Sequence, residues 1–146
     1  MEKKKYIICD SARANWGKTE TLQTLITLLS KIYKPLDIQT EGKDTYAVFR
    51  LENGKIVFVS TLGDPGSGYM SWWHIGMNLN PDIFVCACRT SGETYNNLLN
   101  ISKAHEYEVV WFKNFHFENY ALTKTVAHTS VQNLEVKCLY EVIVSL

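Results

Sequence analysis

Two runs in this 146-residue chain, Ile56-Val57-Phe58-Val59 and Ile83-Phe84-Val85-Cys86-Ala87-Cys88, are apolar at every position. Successive strand side chains point to opposite faces, so a strand with one wet face alternates apolar and polar. A run apolar at odd and even positions needs cover on both sides, which is the signature of a sheet between two helical layers. The runs Tyr6-Ile7-Ile8-Cys9 and Glu108-Val109-Val110-Trp111-Phe112 read as further strands of the same sheet.

The stretches between these runs supply the helices. From Glu20 to Tyr33, Leu22, Leu25, Ile26, Leu29, Ile32 and Tyr33 recur at helical spacing, and Pro35 ends the element. A helix from about Tyr69 to Leu79 is closed by Asn80-Pro81, and Thr90-Ser91-Gly92 opens another that runs to about His105. Residues 36–44 are polar, contain Gly42 and read as a loop. Two strand-like runs, Thr45–Leu51 and Lys55–Thr61, flank Glu52-Asn53-Gly54, and Asn-Gly is the strongest local signal for a type I′ hairpin.

After Asn119 the pattern supports two readings. Val136, Cys138, Tyr140, Val142 and Val144 alternate like a strand, whereas Val131, Leu134, Cys138 and Val142 space like a helix. The helix, packed on the sheet, is the reading adopted. The order strand, loop, helix, hairpin, helix, strand, helix, strand, helix predicts a single α/β domain over residues 1–146, a three-layer sandwich. Its sheet should hold about five mostly parallel strands, with one antiparallel hairpin strand at the edge.

Composition narrows the function. Fifteen basic and fifteen acidic residues give a formal net charge of zero, which disfavours a nonspecific nucleic-acid or acidic-membrane binder. No apolar run approaches a membrane span, and the run after Lys3-Lys4-Lys5 stops at Asp10, too short for a secretory leader. A cytoplasmic location is expected. The four cysteines, Cys9, Cys86, Cys88 and Cys138, lack metal or disulfide spacing. Cys86 and Cys88 share one strand face and read as buried free thiols. His74, His105, His116 and His128 are dispersed and suggest no zinc site.

The function-bearing segment is Ala12-Arg13-Ala14-Asn15-Trp16-Gly17-Lys18-Thr19, between the first strand and the first helix. A loop leading into a helix N-terminus presents backbone N–H groups and partial positive charge to an anion. The segment resembles the phosphate-binding loop, or Walker A motif, of P-loop NTPases, [Ala/Gly]-x4-Gly-Lys-[Ser/Thr]. That resemblance implies a P-loop NTPase-like sandwich binding ATP or another nucleoside triphosphate with Mg²⁺ through Asn15, Trp16, Gly17, Lys18, Thr19 and Glu20. Gly17 would permit close backbone approach, Lys18 would contact the β- and γ-phosphates, and the Thr19 hydroxyl would ligate Mg²⁺. Trp16 could stack on a base or cover the sheet edge.

In open α/β sheets ligands lie beyond the carboxyl ends of the strands, which selects Asp10–Thr19, Ser60–Gly68 and Cys88–Gly92. Asp64 resembles a shifted Walker B carboxylate on the metal, expected at the end of the strand beside the loop, or it caps a turn before Pro65. Asp10 is a second acid there, read as a loop cap. Arg89 could stabilise a transferring phosphoryl group as an arginine finger does, or pair with Glu93 or Glu106. The hairpin position also resembles the layout of small Ras-like GTPases. That likeness puts Thr45 where a switch threonine closes on Mg²⁺, and Ser60-Thr61-Leu62-Gly63 where those proteins carry Asp-x-x-Gly. Their guanine-reading Asn-Lys-x-Asp is absent; the strand end reads Cys88-Arg89-Thr90-Ser91.

Two functions follow from these residues. One is a small nucleoside-triphosphatase with Lys18, Asp64 and Arg89 as its catalytic set and Thr19 with Asp64 on the metal. The other is a switch or adaptor with little turnover, whose glycine-rich Gly63–Gly68 segment orders on nucleotide binding and presents the Trp72-Trp73 region to a protein partner.

Overall fold

The computed structural model describes residues 4–11, 18–113 and 126–146. Strand β1 (Lys5–Ser11) is followed by residues 12–17, which lie outside the described residues, and then by helix α1 (Lys18–Ile32). The remaining elements are β2 (Asp37–Glu41), β3 (Asp44–Arg50), β4 (Ile56–Ser60), α2 (Tyr69–Asn78), β5 (Ile83–Cys88), α3 (Glu93–His105), β6 (Tyr107–Phe112) and α4 (Val126–Ser145). They form one mixed sheet of six strands in the spatial order β2-β3-β4-β5-β1-β6. Strands β4, β5, β1 and β6 are parallel, whereas β3 is antiparallel to β4 and β2 is antiparallel to β3.

The α/β sandwich is therefore present with one strand more than expected. Residues 37–41, read as loop, are β2, and this strand forms the sheet edge that the sequence had assigned to β3. Every residue of β2 is exposed, so no face needed an apolar pattern. Its polar character suits an unpaired edge. The β2–β3 connection is the two-residue turn Gly42-Lys43, with Gly42 at φ 61° where an L side chain would be strained. The second hairpin also differs in detail. Gly54 N–H donates to Leu51 O and Leu51 N–H to Lys55 O, each at 2.9 Å. Within the turn positive φ falls on Gly54 and not on Asn53, so this is a three-residue turn closed by a glycine bulge, not type I′.

Two cores flank the sheet. On one face α1 (Leu22, Leu25, Ile26, Leu29) and α4 (Val136, Leu139, Ile143) pack over Ile8, Val57, Val59 and Val85. On the other, α2 and α3 cover Ile7, Phe58, Phe84 and the thiols of β1 and β5. Helix α2 lies close: a Cβ at Gly76 would stand 2.6 Å from ring atoms of both Phe58 and Phe84. The C-terminal helix packs on the sheet as expected, but through a different stripe. Leu134, at 57% exposure, Cys138 and Val142 point outward, and Val136, Leu139 and Ile143 point in.

Candidate functional site

The helices that follow β4 and β5 pack on one face of the sheet, and those that follow β1 and β6 pack on the other. The chain therefore leaves the adjacent strands β5 and β1 in opposite directions. That is a topological switch point, and in open α/β sheets ligands bind in the crevice beyond the carboxyl ends of such strands. Register fixes what borders it. Ser11, the last described residue before position 12, pairs with Cys88, and Asp10 pairs with Ala87 on one side and Phe112 on the other. Ser11 and Arg89, the residue after Cys88, thus stand side by side at the carboxyl edge of the sheet.

Buried polar groups lie beneath this edge. Asp10 is 0% exposed and Glu135 only 3% exposed, and the buried Thr21 hydroxyl donates to Glu135 Oε2 at 3.1 Å. Strand alternation puts Asp10 on the same face as Ile8, beneath α1 and α4. On the opposite face sit Cys9, Cys86 and Cys88, with Cys9 Sγ 2.9 Å from Cys88 Sγ. Burial pushes the Cys9 thiol well above its ordinary range and raises that of Cys86. Protonated thiols sealed from solvent are packing groups, not nucleophiles.

The structure brings Asp64 and Arg89 together. Arg89 Nε donates to Asp64 Oδ1 at 3.2 Å, with the two side chains 43% and 44% exposed. Both ends are anchored by backbone. Asp64 O accepts from Ser67 N–H at 3.2 Å and Ser67 Oγ–H at 2.6 Å, and Gly66 at φ 78° after Pro65 gives the turn its type II form. Gly63 lies against the Ala87 backbone so closely that a Cβ would overlap the Ala87 carbonyl. Arg89 N–H donates to Thr94 Oγ1 at 2.9 Å, tying the strand end to the first turn of α3. Glu93, one partner considered for Arg89, instead accepts from the Tyr69 hydroxyl at 2.8 Å.

Of the residues expected to bind phosphate, Asn15, Trp16 and Gly17 lie outside the described residues, as do Ala12, Arg13 and Ala14. Lys18 opens α1, Thr19 is partly buried, and Glu20 is exposed with Oε2 accepting from Gln132 Nε2 at 3.4 Å. Three expectations change. The strand leading to Asp64 is not beside β1, because β5 lies between them. Thr45 is at the same sheet edge but buried: its hydroxyl accepts from Gln23 Nε2 at 3.0 Å and its N–H donates to Thr61 Oγ1 at 3.0 Å. It is a sheet residue, not a switch threonine. Trp72 and Trp73 are both buried, Trp73 at 4.6 Å from the Tyr69 ring centroid, so the pair is core and presents no docking surface.

Sequence reasoning missed Glu135, because the stripe it chose for the last helix faces outward. It also missed a stacked aromatic pair, Tyr95 and Trp111, with ring centroids 5.3 Å apart and planes at 21°. Trp111 appeared there only as a strand residue.

Comparison with protein-family models, with curated proteins and with solved structures gives no match to this chain. Among the described residues no helix is long and apolar enough to cross a membrane.

Proposed function

We propose that this chain binds a nucleoside triphosphate with Mg²⁺, ATP foremost, at the carboxyl ends of β1 and β5, and hydrolyses it slowly. The observation that carries this reading is the coincidence of two independent features. The Ala12–Thr19 motif occupies the β1–α1 junction, and that junction borders the switch point of the sheet. A helix N-terminus there supplies donors and partial positive charge to an anion.

Each residue then has a role. Gly17 lets the backbone approach the phosphates, and Lys18 contributes a point charge to the β- and γ-phosphates. Asn15, Trp16 and Glu20 border the nucleotide. A hydroxyl and one carboxylate, Thr19 and Asp64, suit Mg²⁺, which keeps water and phosphate oxygens in most of its coordination positions. The ion would neutralise charge on the phosphates. Asp64 is half-exposed, so it can reach a hydrated ion without a large desolvation cost.

Arg89 follows Cys88, the register partner of Ser11, and so stands at the same strand edge as the end of β1. In the free protein it is neutralised by Asp64. Binding of the magnesium triphosphate would exchange both partners, with the guanidinium moving to a phosphoryl oxygen and the carboxylate to the metal side. Charge on the transferring group is then met by Lys18 and Arg89. The switch or adaptor reading shares this nucleotide site, and its partner surface would have to lie outside the buried Trp72 and Trp73 side chains.

Thermal-shift titration of the four nucleoside triphosphates, with and without Mg²⁺, tests the reading. A ligand at a hundred times its dissociation constant should add about 2.7 kcal/mol of apparent stability. Phosphate release over many turnovers supports the hydrolase; stoichiometric binding without release would retain the site and remove the enzyme.

A further inference from the structure

Most large aromatic side chains on the α2–α3 face are sealed into the core: Trp73, Phe84 and Tyr69 are all buried. Trp111 differs, with 40% of its surface exposed although it stacks on Tyr95. Both residues belong to the edge that holds the candidate site. Trp111 is the register partner of Cys9 in the adjacent β1, two residues before Ser11. Its Cα therefore lies about 5 Å across and about 7 Å along from Ser11, the last described residue of β1. Tyr95 follows Thr94, whose hydroxyl accepts the Arg89 N–H, so the first turn of α3 is fixed to the end of β5. The stack is thus held in register with both strands that border the crevice.

A flat, part-exposed indole backed by a second ring offers a π-surface of fixed orientation. Every nucleobase has a complementary π-face, and stacking on an aromatic side chain discriminates little among them. We infer that Trp111, supported by Tyr95, is the platform on which the nucleobase of the bound triphosphate stacks. This assignment rests on the phosphate-site reading above. It makes Trp111 a ligand-contacting residue and Tyr95 a positioning residue. Purines, having the larger ring surface, should bind more tightly than pyrimidines.

The test separates base from phosphate. Titrate the full-length wild type, Trp111→Ala, Trp111→Phe and Tyr95→Ala with ATP and with inorganic tripolyphosphate, each with Mg²⁺, by calorimetry. Trp111→Ala should weaken ATP by about 5- to 150-fold and leave tripolyphosphate unchanged. Trp111→Phe should hold ATP affinity near that of the wild type, which guards against a variant that merely folds badly. Tyr95→Ala should weaken ATP less than Trp111→Ala does, again sparing tripolyphosphate. Equal losses for both ligands, or unchanged ATP affinity in Trp111→Ala, would overturn the platform. A wild type that binds tripolyphosphate but gains nothing from the base would overturn the platform and leave the phosphate site standing. A wild type that binds neither ligand would overturn both.

Discussion

Arg89 and Asp64 meet at 3.2 Å across the turns that leave β5 and β4, each held by its own backbone rather than by the pair itself. Both side chains are about half exposed, so solvent screens the attraction and the pair should contribute less than about 1 kcal/mol to folding. A double-mutant cycle of Arg89→Ala and Asp64→Ala in urea unfolding should give coupling in that range. A coupling of several kcal/mol would mark the pair as a structural clamp, too costly to break for the partner exchange proposed here.

Gly63 allows the segment after β4 to press against the Ala87 backbone of β5. A methyl group there must displace main chain, not a flexible side-chain tip. Gly63→Ala should therefore cost about 2 kcal/mol or more, in the upper range for overpacking. The urea midpoint measures this, and a change below about 0.5 kcal/mol would contradict the close approach.

Tyr107 donates its hydroxyl to Pro81 O at 2.6 Å, and burial, followed by the charge of Asp82, pushes its pKa up to about 12. An unfolded tyrosine ionises near 10, so between about pH 10 and 12 the unfolded state holds fewer protons than the folded one. The contribution is complete below pH 10, falls as pH rises through that window, and amounts to about 2 kcal/mol. Tyr107→Phe should be less stable than wild type at pH 8, by about 1 kcal/mol for the lost hydrogen bond. The gap should close at about pH 11 and reverse by about pH 12, where the wild type has lost about 2 kcal/mol against a starting advantage of about 1 kcal/mol. A gap that stays constant across the window would contradict the shifted ionisation.

Cys9, Cys86 and Cys88 are buried, whereas Cys138 lies exposed on α4. A thiol-specific chromogenic reagent at pH 8 should therefore label one cysteine rapidly in the native protein and all four after unfolding. Rapid native labelling of two or more would show that the β1–β5 edge opens readily.

The layers of this fold are legible in the sequence because their cause is local. Ile83–Cys88 is apolar throughout since helices cover both faces of β5, and Leu22, Leu25, Ile26 and Leu29 face one core. β2 carries no such signal: an edge strand exposed on both faces has nothing to bury, and only the Gly42-Lys43 turn betrays it. The last helix was recognised, but two stripes fit its period. Choosing between them required the sheet, which puts Val136 inside and Leu134 outside. The candidate site shows the same division. Asp64 and Arg89 each stand at a strand end that the sequence marks, but their meeting depends on β4 and β5 being neighbours. The insertion of β5 between β1 and β4, and the hydrogen bond from Thr21 to Glu135, join residues far apart in the chain. No local pattern encodes either one.

Lys18 is the most direct probe of a triphosphate cradle at the β1–α1 junction. Calorimetric titration of wild type and Lys18→Ala with ATP and Mg²⁺ should show one site per chain in the former. In the latter, with the fold intact by circular dichroism, binding should weaken by about 10- to 100-fold, the loss expected of a charge-assisted phosphate contact. Equal affinity in the two proteins would contradict the account.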